Sequence, residues 1–312
     1  MYNKKDLEEK AQQMNFVRDN LEKVFRLCDV LKFIHEDEYL SSLLALKGGT
    51  AINLFVMSLP RLSVDIDLDF TKSCSKDEML QYRQKINARL LAYLQSEGYQ
   101  LNPMTKNPHS IDSWVFQYIN AGGNRDIIKV EINYSMRCHV LNPVLAYSKI
   151  QGLDEFCTMM LNPVELFASK INALLSRNAA RDLYDVDNFV SSSMVQGWDL
   201  NLLRKCVVFY SVVGRNESST GEYGTEAIEK MQFSTIKSDL LPMLTKSTFY
   251  DLESVKSRVK TFIDNLMVLT PEEMQFINEF GQKHYQPELL FDDGEILERI
   301  MKHPMALWKI RG

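Results

Sequence analysis

The sequence predicts an α+β fold, a small mixed sheet with helices in the first half and a mostly helical second half. Three observations carry this expectation. Residues 61–70, RLSVDIDLDF, alternate strictly between polar and apolar, the period of a half-buried strand. Residues 114–120 and 127–134 read as two more strands on either side of the turn-forming Ala121-Gly122-Gly123-Asn124. From Asn162 onward the apolar spacing becomes helical almost throughout.

Taken in order, the first forty-odd residues read as helices, with Phe16, Val17, Leu21, Val24 and Phe25 at helical spacing and charged residues on the other face. An apolar segment then meets Gly48-Gly49-Thr50, a short apolar helix follows, Pro60 stops it, and the 61–70 strand begins. Residues 77–97 fit an amphipathic helix closed by Gly98 in the manner of a glycine C-cap. Asn162 is a natural N-cap, Pro163 suits the first helical position, and Glu165 sits where a capping-box carboxylate belongs. Further helices are expected near 199–213, 225–245, 250–268, 271–283 and 293–302. The polar stretch 214–224, GRNESSTGEYG, is expected to be a mobile loop, since nothing in it is apolar enough to offset the cost of ordering.

At 312 residues and 45% hydrophobic content the chain is long enough for two domains. They are placed at 1–150, a sheet core with N-terminal helices, and 151–312, a helical domain. The charged N-terminus lacks the apolar stretch of a signal peptide, and no run approaches a membrane span, so a soluble cytoplasmic protein with no membrane partner is expected. Five cysteines without a C-x-x-C pair argue against a disulfide framework or a zinc site. A net charge of −5 argues against a nonspecific nucleic-acid coat, though not against a local basic groove.

The chemistry concentrates on the 61–70 strand. Residues two apart project to one side, so Asp65, Asp67 and Asp69 share a face with Arg61 and Ser63, while Val64, Ile66, Leu68 and Phe70 share the other. Three carboxylates in a row repel one another unless a cation neutralises them, and magnesium, or manganese in its place, is the hard ion that oxygen ligands favour. An isolated D-x-D would be read as a solvated strand face. Two neighbouring features change that. Gly48 and Gly49 permit close backbone approach, and the helix they open aims N–H groups at an anion such as a triphosphate, with Thr50 able to add a hydroxyl. Glu131, in IIKVEINY, lies on the polar face of another strand beside Lys129 and Asn133. If the two strands are neighbours, the three carboxylates meet and can hold two metals roughly 3.5–4 Å apart for an in-line displacement.

With KGGTA and RLSVDIDLDF at 47–70 and the later single carboxylate, the pattern resembles the nucleotidyltransferase superfamily. The segment ELFASKINALLSRNAARDLYDVDNF places Lys170, Ala173, Arg177, Arg181, Asp182, Tyr184 and Asp185 in the order K-x-x-A-x-x-x-R-x-x-x-R-D-x-Y-D. This is similar to the signature of the AbiEii/AbiGii (MenT-like) toxin family, as is HPMALWK at 303–309. The resemblance is dense over 46–190 and thin beyond. It implies a nucleotidyltransferase fold of the DNA polymerase beta-like kind, with Asp65 and Asp67 as ligands of the catalytic metals and Glu131 as the third carboxylate. By the same resemblance Lys170 contacts the nucleotide phosphates, and Asp185 either orients Lys170 or activates the acceptor hydroxyl. The family's third carboxylate is often Asp, and Glu131 reaches one methylene further. Asp69 is expected to stand outside direct metal contact.

Physics offers a separate reading of the second motif. On one helix spanning 163–190, Lys170, Arg177 and Arg181 form a basic stripe with Asp185 nearby, suited to a triphosphate. A plain surface helix with an Arg181–Asp185 ion pair explains the same spacing equally well. A break at Asn178 would dissolve the stripe and leave only the resemblance. The five histidines show no ligand spacing, and Trp114, Trp198 and Trp308 are expected to pack.

The function so implied is a toxin of a toxin–antitoxin or phage-defence (abortive infection) pair that transfers NMP from NTP to an acceptor, the 3′ end of a tRNA by family analogy, with a separately encoded antitoxin. Three alternatives stay open: a protein or small-molecule acceptor, a silent nucleotide- or partner-binding module, and metal-dependent phosphodiester hydrolysis.

Overall fold

The computed structural model describes residues 2–105, 107, 110–148, 150, 153, 155–214 and 222–311. They form two compact units, and residues 2–137, 143–161 and 242–248 make up the first. It opens with helices α1 (Lys4–Gln13), α2 (Arg18–Glu36) and α3 (Glu38–Ser41). Strand β1 (Leu44–Lys47) leads into α4 (Gly48–Ala51), which continues as a π-helical turn, Ile52–Val56. Then come β2 (Asp65–Phe70), α5 (Lys76–Ser96), β3 (Gln100–Leu101), β4 (Ile111–Ile119), β5 (Arg125–Asn133), β6 (Val144–Ser148) and β7 (Phe156–Met160).

The seven strands make one mixed sheet in the order β3-β4-β5-β2-β1-β7-β6. Strand β2 runs antiparallel to β1 and parallel to β5, and β1 runs parallel to β7. The apolar face carries Ile66, Leu68, Phe70, Trp114, Phe116, Val130 and Ile132, each at most 1% exposed. Helices α2 and α5 cover it: Tyr82 of α5 lies 5.7 Å from Phe70, Arg83 of α5 pairs with Asp112 at 2.6 Å, and Arg26 of α2 sits over the Tyr118 ring. A full capping box, Ser75 with Glu78, starts α5, and Gly98 at φ +81° follows its end.

The strand expected at 61–70 begins only at Asp65. Residues 61–64 approach it in irregular form, with the Leu62 amide donating to the Met243 carbonyl at 2.8 Å.

The second unit holds residues 138–142, 162–241 and 249–311 where described. It contains α6 (Pro163–Ser176), α7 (Ala180–Ser191), α8 (Leu200–Val213), α9 (Glu226–Glu229), α10 (Phe233–Thr235), α11 (Leu252–Leu266), α12 (Pro271–Gly281), α13 (Gly294–Ile300) and α14 (Pro304–Arg311). Phe167, Phe189 and Trp198 form an aromatic knot in its core, with Phe167 and Phe189 stacked at 4.4 Å. The single helix expected at 225–245 is instead a series of short turns, α9 and α10 among them, ending at Leu241–Met243. Of the loop expected at 214–224, residues 215–221 lie outside the described residues. Trp308 departs from expectation, being 69% exposed rather than packed. Among the described residues no helix is long and apolar enough to cross a membrane.

Candidate active site

The sheet register settles the question the spacing left conditional. Strands β2 and β5 are direct neighbours, and Asp67 stands opposite Glu131, with Asp65 opposite Lys129 and Asp69 opposite Asn133. Register partners on adjacent strands face the same side about 4.8 Å apart, so Asp67 and Glu131 lie side by side on the polar face. On the other flank Lys47 of β1 stands opposite Asp67. Four carboxylates (Asp65, Asp67, Asp69, Glu131) thus share a face with two ammonium groups (Lys47, Lys129).

The ammonium groups are engaged. Lys47 Nζ lies 2.6 Å from Asp69, which is 3% exposed, and Lys129 Nζ lies 2.6 Å from Glu131. Burial works against the Lys47 charge, but Asp69, Asp67 and Glu131 outweigh it and hold its pKa above the usual lysine value. Lys129 is raised in the same way, with partial burial opposed by Glu131, Asp65 and Asp67. Among the described residues no three His, Cys, Asp or Glu side chains stand already gathered around a metal position. The face nevertheless suits a hard divalent ion in its donor chemistry, since its four carboxylates are oxygen ligands and outnumber its two ammonium groups.

The glycine turn lies directly against this row. Gly48, at φ +70°, passes so close to Asp67 that a Cβ there would stand 2.4 Å from Asp67 Oδ2. A Cβ on Gly49 would meet Arg61 Nη2 at 2.7 Å and Ser63 Oγ at 2.9 Å. Glycine is required at Gly48 on two counts, its left-handed backbone and its contact with Asp67. No side-chain hydrogen bond from the N-cap residue Lys47 caps the helix that Gly48 opens.

Three residues expected to touch phosphate are placed as supports of the turn. Thr50 is fully buried; its hydroxyl donates to the Asp65 carbonyl and lies 3.0 Å from Ser63 Oγ. Arg61 is 2% exposed and donates to the Leu62 carbonyl at 2.9 Å. Ser63 is 6% exposed. Together they tie the glycine turn to the start of β2.

In the second unit the basic stripe does not exist. Helix α6 ends at Ser176, Arg177 is extended at φ −143°, and α7 begins at Ala180. The break brings together what a straight helix would hold apart: twelve residues of helix rise about 18 Å, yet Lys170 Nζ lies 2.8 Å from Asp182 and 3.1 Å from Asp185. Arg177 joins them at 2.7 Å from Asp182. Burial alone would raise the Asp182 pKa, but Lys170 and Arg177 reverse that and hold it below the usual carboxylate range. Asp185 pairs with Lys170, while Arg181 lies half-buried on α7. Asp182 stood in the motif without an assigned role; its signal was its place directly after Arg181 and within reach of Lys170 and Arg177 once the helix breaks.

Glu165 is not a capping-box residue. It is fully buried, accepts from the Val140 and Leu141 amides at 2.8 and 3.1 Å and from the Tyr210 hydroxyl, and burial raises its pKa. It anchors residues 138–142, as does His303 of the HPMALWK segment, which holds the Cys138 carbonyl at 3.0 Å.

Comparison with known proteins agrees with this architecture. Among solved structures, MenT4, a nucleotidyltransferase toxin from Mycobacterium tuberculosis, is similar with a TM-score of 0.65 at 18% identity, over 89% of this chain and 94% of that one, a likeness of fold. No curated protein matches. Residues 35–275 match the family described as nucleotidyl transferase AbiEii toxin of a type IV toxin–antitoxin system. That match spans the glycine turn, the carboxylate strands and the α6–α7 cluster, and the chain belongs to the AbiEii family of nucleotidyltransferase toxins.

Proposed function

We propose that the toxin is a metal-dependent enzyme that transfers NMP from an NTP to an RNA acceptor, with the 3′ end of a tRNA as the first candidate. The observation that carries this reading is the register of β2 and β5, which sets Asp67 beside Glu131 with Asp65 on the same face. Asp65, Asp67 and Glu131 would hold magnesium or manganese, which when bound supplies the charge that offsets the triphosphate and activates the acceptor hydroxyl. Gly48 and Gly49 let the backbone approach the triphosphate, and the first-turn amides of α4 donate to it. Thr50, Arg61 and Ser63 keep that turn in register with β2. For Lys170, Asp185, Arg177 and Arg181 a role in handling the nucleotide rests on the family motif, with Asp182 and Asp185 fixing the position of the Lys170 ammonium. The toxin–antitoxin family supports a separately encoded antitoxin, and action in phage defence and in the cytoplasm belongs to the same proposal.

The test is incubation of the purified protein with magnesium, total tRNA and each of four labelled NTPs in turn, beside Asp67→Ala. Label on RNA from one or two triphosphates, absent in Asp67→Ala, is the expected result. RNA shortened instead of lengthened would replace transfer by hydrolysis, and label on protein alone would move the acceptor.

A further inference from the structure

The two lysines of the polar face are not equivalent. Lys47, the register partner of Asp67, is tied to the buried Asp69, whose side chain is 5% exposed. Lys129 flanks the Asp65 end of the carboxylate row: it bonds Glu131 at 2.6 Å and is the register partner of Asp65, with Asp67 the register partner of Glu131. Both members of the Lys129–Glu131 pair are about one third exposed, at 38% and 32%. Exposed pairs of this kind are weak, and a lysine is a compact point charge on a flexible stem, able to leave one partner for another.

We propose that Lys129 is a stand-in cation of the metal site: it neutralises Glu131 while no divalent ion is bound and moves to the phosphates of the incoming nucleotide when one is. The inference rests on the metal reading above and adds a positioning residue to it. A divalent ion at Glu131 repels the ammonium bonded to Glu131 Oε2, so metal binding weakens the Lys129–Glu131 pair. Once released, the side chain remains tethered two residues from Glu131 and opposite Asp65, on the face where phosphate oxygens would need a cation. Lys47 differs because its carboxylate partner is buried, so breaking that ion pair costs more than breaking an exposed one.

The test is Mn2+ binding to the full chain without nucleotide, read from the resonance signal of free Mn2+ at low ionic strength, for wild type, Lys129→Met and Asp67→Asn. A second reading takes the affinity for a labelled NTP in the presence of Ca2+. Lys129→Met is expected to bind Mn2+ roughly three- to fivefold more tightly, a gain that shrinks as salt is added, while its NTP affinity falls. Unchanged or weaker Mn2+ binding in Lys129→Met, with wild-type binding abolished by Asp67→Asn, overturns the inference and leaves the metal reading standing. Mn2+ binding absent from wild type, or indifferent to Asp67→Asn, overturns both. Circular dichroism of each variant confirms that the fold is intact.

Discussion

Gly48→Ala isolates the contact on which the site's geometry depends, and Gly98→Ala is its matched control. Both glycines have left-handed backbones, at φ +70° and +81°, so each alanine carries a strain of about 1–2 kcal/mol. They differ in surroundings. A methyl at Gly98 meets nothing within 4 Å, whereas one at Gly48 falls 2.4 Å from Asp67 Oδ2. Carbon and oxygen do not approach closer than about 3 Å, so the Asp67 carboxylate or the turn must move by roughly 0.6 Å or more. Misplacements of about 1 Å in a reacting constellation cost about a hundredfold, so a ten- to hundredfold loss of transfer is expected for Gly48→Ala. Urea unfolding and NTP turnover, measured on both variants, separate the two effects. Both should lose similar stability, and only Gly48→Ala should lose activity beyond it. Full activity in Gly48→Ala, or an equal loss in Gly98→Ala, would refute the claim that the turn positions Asp67.

Other substitutions test other parts of the account. Asp67→Asn removes a carboxylate whose register partners are Glu131 on one side and Lys47 on the other, and should change stability by no more than about 1 kcal/mol while abolishing transfer, which melting curves and turnover together decide. Lys170→Met removes the ammonium shared by the buried Asp182 and Asp185 and should cost about 3–5 kcal/mol in denaturant unfolding, so its activity is interpretable only beside its stability. Asp182 has a lowered folded-state pKa; the stability it contributes is therefore present above the unfolded value near 3.9 and lost as pH falls through the folded one. Unfolding free energies between about pH 2 and 6 should accordingly fall less steeply with acid in Asp182→Asn than in wild type.

The part of the site that was legible in the sequence is the part written in short-range pattern. Alternation marked Asp65, Asp67 and Asp69 as one face, and paired glycines ahead of them marked a close backbone approach. That Glu131 belongs beside Asp67 is a fact of strand pairing, which no local pattern contains; Lys129 and Glu131 shared a visible parity, but their ion pair needed the register. Strands β6 and β7 escaped notice because they are short and β7 joins the sheet through a parallel pairing with β1, far away in sequence. The α6–α7 break was foreshadowed by Asn178, yet its cause lies in tertiary structure: one carboxylate, Asp182, is shared by Lys170 and Arg177 across the bend. Glu165 misled because its spacing from Asn162 satisfies a capping box, while the chain uses its carboxylate to anchor the Val140 and Leu141 amides.

The central claim is that the β2–β5 carboxylates transfer a nucleotidyl group, and the position of the label in the triphosphate tests it most directly. Wild type and Asp67→Asn are incubated with magnesium, RNA and one NTP labelled either at the α- or at the γ-phosphate. Nucleotidyl transfer forms a bond from the acceptor hydroxyl to the α-phosphorus and releases pyrophosphate, so α-label should enter RNA, γ-label should leave as pyrophosphate, and Asp67→Asn should do neither. Label entering RNA from the γ-position, or α-label incorporated equally by Asp67→Asn, would contradict the account.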